Sequence, residues 1–142
     1  MARPPGKGLR RRSWEFQSGC LEELTEFAKH QFALNRQHSD GSTERDHLES
    51  VERQTGKRPS ALDGPDLPHD ISHVWFWFSD LSAARGNNGW GPNAISYQDI
   101  SAWIGLTGTI VRPAEIAAIL MLDRLWMSEQ AKATAAARKA KG

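Results

Sequence analysis

Two histidines four residues apart are the first side chains in this sequence that could do chemistry. On a helix, His69 and His73 would place both imidazoles on one face, at the spacing of zinc ligands. No cysteine lies nearby, and the intervening carboxylate of Asp70 points off that face. Two surface histidines at a helix start are the simpler interpretation, so the sequence predicts no metal site.

The glycine-rich stretch GNNGWGP, residues 86–92, invites comparison with phosphate-binding loops. It is not followed by Lys-Ser/Thr and no strand precedes it, which excludes both standard patterns. No nucleophile has a recognisable base. The sequence therefore predicts no catalytic residue, no cofactor and no enzymatic activity.

Composition narrows the class of protein further. The 142 residues suit one domain with one core. With 18 Lys and Arg against 17 Asp and Glu, the net charge of +1 favours neither nucleic acid nor a membrane surface. A single cysteine, Cys20, excludes a disulfide framework, and no segment is long enough to span a bilayer. We expect a soluble cytoplasmic protein.

Helical periodicity dominates the pattern of apolar residues, which predicts an all-α fold. The core is expected to consist of three helices, at about residues 70–85, 97–105 and 113–130. Two further helices should precede them. One runs from about Cys20 to Arg36, and a short polar one begins at the capping box of Thr43 and Asp46 and ends at Gly56.

These elements predict four regions along the chain. Residues 1–17 form a disordered basic N-terminus, and 18–65 form an N-terminal helical region with a proline-rich linker. Residues 66–130 form the helical core domain. Residues 131–142 form a basic, alanine-rich tail that frays into solvent, so both ends are expected to be flexible.

Two charged residues fall within apolar stripes. Asp123 lies in the middle of the stripe of the last helix, and Arg85 continues the stripe of the aromatic-rich helix before the glycine-rich turn. Burying either charge alone would be costly, so a buried Arg85–Asp123 pair joining the two helices is one interpretation. The other leaves Arg85 in solvent and gives Asp123 backbone or indole N–H donors.

The glycine-rich stretch itself is predicted to be a folding device. Gly86 ends one helix, Gly91 supplies backbone freedom together with Gly89, and Pro92 fixes the exit toward Ser96. Ser96 and Asp99 form a second capping box. We expect Trp90 to pack onto the core beside Trp103, with the Tyr97 hydroxyl at the rim; exposure of Trp90 to a partner is the alternative.

Several apolar residues lie away from the core stripes of their helices. The N-terminal helix or a partner protein would have to cover this second surface. We predict that it binds a partner through residues of two neighbouring helices, namely Phe76, Trp77, Met121, Leu122 and Leu125.

A DNA-binding function is the competing interpretation. Residues 96–126 read as a short helix, a turn and a longer helix, which is the order of a helix-turn-helix. The second helix begins PAEIAAILML, however, and offers few polar side chains to base edges. Nucleic acid is therefore expected only at the basic termini, without sequence specificity.

Residues from about 70 to 127 resemble the tail assembly chaperones of long-tailed bacteriophages. The shared pattern is an aromatic-rich helix ending in Leu-Ser-x-x-Arg, a turn with Gly-Pro, an Ile-x-Tyr-x-Asp-Ile-x-Ala-Trp helix, a Leu-x-Gly turn and a final helix with Leu-Asp. The matching residues are Leu81, Ser82, Arg85, Gly91, Pro92, Ile95, Tyr97, Asp99, Ile100, Ala102, Trp103, Leu106, Gly108, Glu115, Ile119, Leu122 and Asp123.

The resemblance implies a non-enzymatic chaperone of the host cytoplasm. Its partners would be the phage tape-measure protein and the tail-tube protein, whose subunits it would help to recruit. Self-association stays open. The first 60 or so residues do not match the pattern, so the resemblance implies nothing for the arginine-rich start.

Overall fold

The computed structural model describes the backbone of residues 7–141 and the side chains of residues 19–140. Across that part of the chain the structure is all-α, as predicted, with five α-helices and no β-strand. The helices are α1 (Lys7–Leu34), α2 (Glu44–Thr55), α3 (Ser72–Ala83), α4 (Tyr97–Thr107) and α5 (Pro113–Lys141), with 3-10 turns at Ser60–Leu62 and His69–Ile71.

Helix ends follow the local signals in the sequence. The side chains of Thr43 and Ser96 each accept a hydrogen bond from the backbone N–H three residues on. The carboxylates of Asp46 and Asp99 in turn accept from the backbone N–H groups of Thr43 and Ser96. Gly56 and Gly108 close α2 and α4 with φ angles of 72° and 68°, a region that strongly favours glycine. Both capping boxes and the glycine that ends α2 were predicted.

The first helix differs from its prediction at the N-terminal end. It begins at Lys7, well before Cys20, and so includes residues 7–17, for which we expected disorder. That segment contains leucine and arginines, which are good helix formers, and helix continues through it. Residues 1–6 of the predicted disordered segment lie outside the described residues.

The core is formed by four helices, α1, α3, α4 and α5. The first helix contributes Leu24, Ala28 and Phe32 at four-residue spacing, so it is a full partner of the three predicted core helices. The remaining buried core residues are Val74, Phe78 and Leu81 of α3, Ile95 before α4, Ile100 of α4, and Ala118, Ile119 and Leu122 of α5.

The connection from α2 to α3 lies across α1. His30 donates its Nε2–H to the carbonyl of Ala61 over 2.9 Å, and Leu62 is buried beside this contact. Gly64 passes so close to the His30 ring that a Cβ at this position would overlap it. The proline-rich linker is thus held against the body of the protein.

Candidate functional site

The two histidines do not form a ligand pair. His69 lies in the 3-10 turn before α3, whereas His73 contacts Glu115 of α5, with 2.5 Å between Nε2 and Oε2. Among the side chains described, those of residues 19–140, no group of three or more histidines, cysteines, aspartates or glutamates is arranged to hold a metal ion. His73 instead links α3 to α5.

The thiol of Cys20 is also unsuited to nucleophilic chemistry. Its side chain is buried, and this burial raises the pKa of the thiol above its ordinary value. The thiolate, which is the reactive form, is therefore disfavoured.

The structure brings Arg85 and Asp123 together in the interior. Arg85 Nη2 lies 2.5 Å from Asp123 Oδ1, and the two side chains are 6% and 4% exposed. Arg85 also donates to the carbonyl of Asn93 over 2.8 Å and stacks on the Trp126 ring at 3.9 Å. Of the two interpretations, the structure has the buried pair, and Asp123 in addition accepts the Ile95 N–H over 2.9 Å.

These contacts fix both ends of the glycine-rich stretch. The Arg85 guanidinium bonds the Asn93 carbonyl, while Asp123 bonds the Ile95 amide two residues later. Because both partners lie in the core, the chain between Arg85 and Ile95 is anchored on the interior rather than left as a loose loop. The sequence alone does not indicate that Asp123 contacts either end of the turn.

Hydrogen bonds within the turn define its shape. The Asn88 carboxamide oxygen accepts the N–H groups of Trp90 and Gly91 over 2.9 and 3.1 Å, and the Asn87 oxygen accepts that of Gly89 over 2.7 Å. Gly89 has a φ of 90°, a value closed to most other residues. The turn is therefore a closed, internally bonded structure.

Two predictions for the glycines need correction. Gly86 does not end the helix, because α3 already stops at Ala83 and Gly86 instead accepts the Asn93 N–H over 2.9 Å. Gly91 does not adopt a positive φ, and the unusual angle belongs to Gly89 alone within the turn. The Asn88 N–H donates to the Gly91 carbonyl over 3.1 Å, and this bond together with that from Asn93 to Gly86 places Pro92 opposite Asn87 and closes the turn.

The prediction that Trp90 packs beside Trp103 is wrong. Trp90 is 97% exposed, in a turn whose shape is set by its own hydrogen bonds to Asn87 and Asn88 and not by contacts of the indole with the core. Trp103 instead donates its indole N–H to Asp80 over 2.7 Å and meets Trp77 edge to face. Tyr97 lies at the start of α4 and is 69% exposed.

The five residues predicted to bind a partner do not form one surface. Leu122 is fully buried, which excludes it from any surface. Met121 is partly buried and accepts the Thr25 hydroxyl of α1 over 3.4 Å, while Trp77 is partly covered by Trp103 of α4. Leu125 is partly buried against the core. The prediction failed because α1 and α4 cover two further sides of the α3–α5 pair.

Phe76 keeps the exposed position that its place on α3 predicted. Its side chain is 62% exposed, and Asp80, one turn later, is also exposed. The partly exposed rings of Trp77 and Trp103 continue this apolar surface onto α4, where Leu106 follows at 89% exposure. We call Phe76, Trp77, Trp103 and Leu106 the α3–α4 face.

The helix-turn-helix interpretation finds no support in the packing. A recognition helix must present its first turns to DNA. In α5 those turns contain Ala118 and Ile119, which are buried, and Glu115, which is held by His73. The exposed residues of these turns are Pro113, Ala114 and Ala117, which offer no polar side chain to base edges.

A family model described as phage tail assembly chaperone matches residues 51–128, which is more than half of the chain. The chain belongs to the phage tail assembly chaperone family. The match includes α3, the anchored turn, α4 and the packed half of α5. No significant match to the chain was found among curated proteins or among solved structures.

Family membership indicates phage tail proteins as partners and favours a non-enzymatic role. None of the helices within residues 7–141 is both long and apolar enough to cross a membrane.

Proposed function

We propose that this chaperone binds the phage tape-measure protein in the host cytoplasm and helps recruit tail-tube subunits to it. The α3–α4 face is the proposed binding surface for the tape-measure protein. The observation that supports this proposal most is the exposure of Phe76, a large apolar side chain that is 62% exposed on an otherwise well-packed helix.

The composition of this face supports docking of a helix. Aromatic residues are enriched where proteins bind partners, because they bury a large area with few rotatable bonds. Phe76 offers such an area, and the edges of Trp77 and Trp103 extend it. An amphipathic helix of the tape-measure protein would place its apolar stripe across these rings.

Co-purification after co-expression with the tape-measure protein tests this proposal. Phe76→Asp should abolish co-purification and leave the helical circular dichroism unchanged, because Phe76 is largely exposed. Val51→Asp is the matched control, since Val51 is an exposed apolar residue of α2, outside the α3–α4 face. A folded Phe76→Asp variant that still retains the tape-measure protein would place the binding site elsewhere.

Leu125 is unsuitable for this test although it was among the predicted binding residues. Its side chain packs against the core, so Leu125→Asp would place a charge there and destabilise the fold. A combined Phe76 and Leu125 variant would not separate loss of binding from loss of structure.

A further inference from the structure

A second exposed surface lies on another part of the molecule, between the glycine-rich turn and the C-terminal half of α5. It is a groove of about 560 Å³, lined by Trp90 and Pro92 of the turn and by Met127, Ala131, Ala135 and Arg138 of α5. We call it the Trp90 groove. It shares no residue with the α3–α4 face.

The backbone that carries Trp90 is fixed before any partner arrives, while the indole itself stays free of packing contacts. Trp90 is 97% exposed, yet its backbone N–H is bonded to Asn88 and the turn is anchored on Arg85 and Asp123. The hydrogen bonds that define the turn join backbone N–H groups to asparagine side chains and do not involve the Trp90 indole. A tryptophan on a fixed backbone has only two side-chain torsions to order on binding, and tryptophan is among the residues that most often dominate binding energy.

The α5 side of the groove suits a helix as the occupant. Met127, Ala131 and Ala135 recur at four-residue spacing along one side of α5, which produces an apolar strip with small side chains. Small side chains allow the backbone of a second helix to approach closely. A helix laid along this strip would bring its own apolar stripe against Trp90.

The charge of the groove distinguishes between two candidate occupants, a second copy of this chain and a helix of a partner protein. Residues 131–140 carry Lys132, Arg138 and Lys139 and no acidic residue. The acid that precedes this segment along α5, Glu129, is already paired with Arg36 over 2.8 Å and with Lys132 over 3.6 Å. A second copy docked on the same groove would bring two basic segments together, whereas a helix with acidic flanks would be attracted.

We propose that the Trp90 groove binds an amphipathic helix of a partner protein whose apolar stripe is flanked by acidic side chains. The stripe covers Trp90 and the alanines of α5, and an acidic side chain pairs with Arg138. This inference concerns a different surface from the α3–α4 face and does not depend on the tape-measure protein being its partner.

Two designed fluorescent peptides test the proposal by fluorescence anisotropy. Both are amphipathic helices with the same leucine and alanine stripe, one flanked by glutamates and the other by lysines. The full-length protein should bind the glutamate peptide, more weakly as salt is raised, and should not bind the lysine peptide. Trp90→Ala and Arg138→Glu should each weaken binding at least about tenfold, as expected for a central aromatic anchor and its charge partner.

Ile110→Ala is the matched control, because Ile110 is 89% exposed and lies outside both the Trp90 groove and the α3–α4 face. It should bind the glutamate peptide like the unaltered protein. The proposal is overturned if neither peptide binds, if both bind equally, or if folded Trp90→Ala binds as tightly as the unaltered protein. A dimer that dissociates on Trp90→Ala would identify a second copy as the occupant and would also overturn it.

Discussion

Replacing Asp123 by alanine should destabilise the domain more than replacing any exposed aspartate. The substitution leaves the Arg85 guanidinium, whose side chain is 6% exposed, without its carboxylate, and it leaves the buried Ile95 N–H without an acceptor. Removing one partner of a buried ion pair typically costs about 3–5 kcal/mol. Arg85 keeps its bonds to Asn93 and Ser82 and its contact with Trp126, which limits the loss to this range.

Such a loss is a large part of the roughly 5–15 kcal/mol that stabilises a typical domain. At about 3 °C per kcal/mol, it corresponds to a melting temperature lower by about 9–15 °C. Urea denaturation followed by far-UV circular dichroism would measure the free energy of unfolding. Asp66→Ala is the matched control, because Asp66 is exposed and its replacement should change the free energy by no more than about 0.5 kcal/mol.

Two further variants separate the contributions at this site. Asp123→Asn removes the charge but keeps an oxygen for the Ile95 N–H, so it should be less destabilising than Asp123→Ala. Combining Asp123→Leu with Arg85→Met removes both charges and should recover part of the loss. An Asp123→Ala variant with the same stability as the Asp66→Ala control would refute the reasoning.

Two other predictions concern a close glycine contact on α1 and the ion pair between Arg36 and Glu129. Gly64→Ala should destabilise the protein by about 1–3 kcal/mol, because the new Cβ overlaps the His30 ring. Gly105→Ala lies in helix α4, where a Cβ has no neighbour within 4 Å, and should stabilise the protein by about 0.5–1 kcal/mol. Equal denaturation midpoints for the two variants would contradict this prediction. The hydrogen bond from Arg36 lowers the pKa of Glu129 below its ordinary value of 4.5, so its contribution to stability is present above that pH and is lost as the pH falls through the lowered pKa. The free energy of unfolding, measured by denaturation between about pH 6 and about pH 3, should therefore fall less with decreasing pH in Arg36→Gln than in the unaltered protein. An unchanged dependence of this free energy on pH would refute the role of the pair.

Helix boundaries were predictable where local chemistry determines them. The capping boxes of Thr43 and Ser96 and the glycine that ends α2 depend on residues within one turn of the helix end. A charge within an apolar stripe requires a partner, which made the Arg85–Asp123 pair one of two interpretations of the sequence, and the structure has this pair together with a backbone donor to Asp123. Local rules failed at Gly86, since α3 ended at Ala83 without a glycine.

The candidate surfaces were harder to predict because they depend on which helices cover which sides. Leu122 lies away from the single apolar stripe assigned to α5, yet α5 is enclosed on more than one side and Leu122 is fully buried. Trp90 has no periodic context, and its exposure follows from the side-chain bonds of Asn87 and Asn88. The Asn-Asn-Gly sequence is the one local signal that indicates such a turn.

The length of α5 has a consequence for its opening motions. The helix is continuous from Pro113 to Lys141, but its fully buried residues all lie at or before Asp123. Amide hydrogens in the packed half are therefore expected to exchange with solvent only when the whole domain opens, whereas those beyond about Gln130 exchange through local fraying. Amide exchange along this one helix therefore distinguishes opening of the whole domain from local fraying. Slower exchange in its distal half, in the presence of a partner protein, would show that the partner orders that segment.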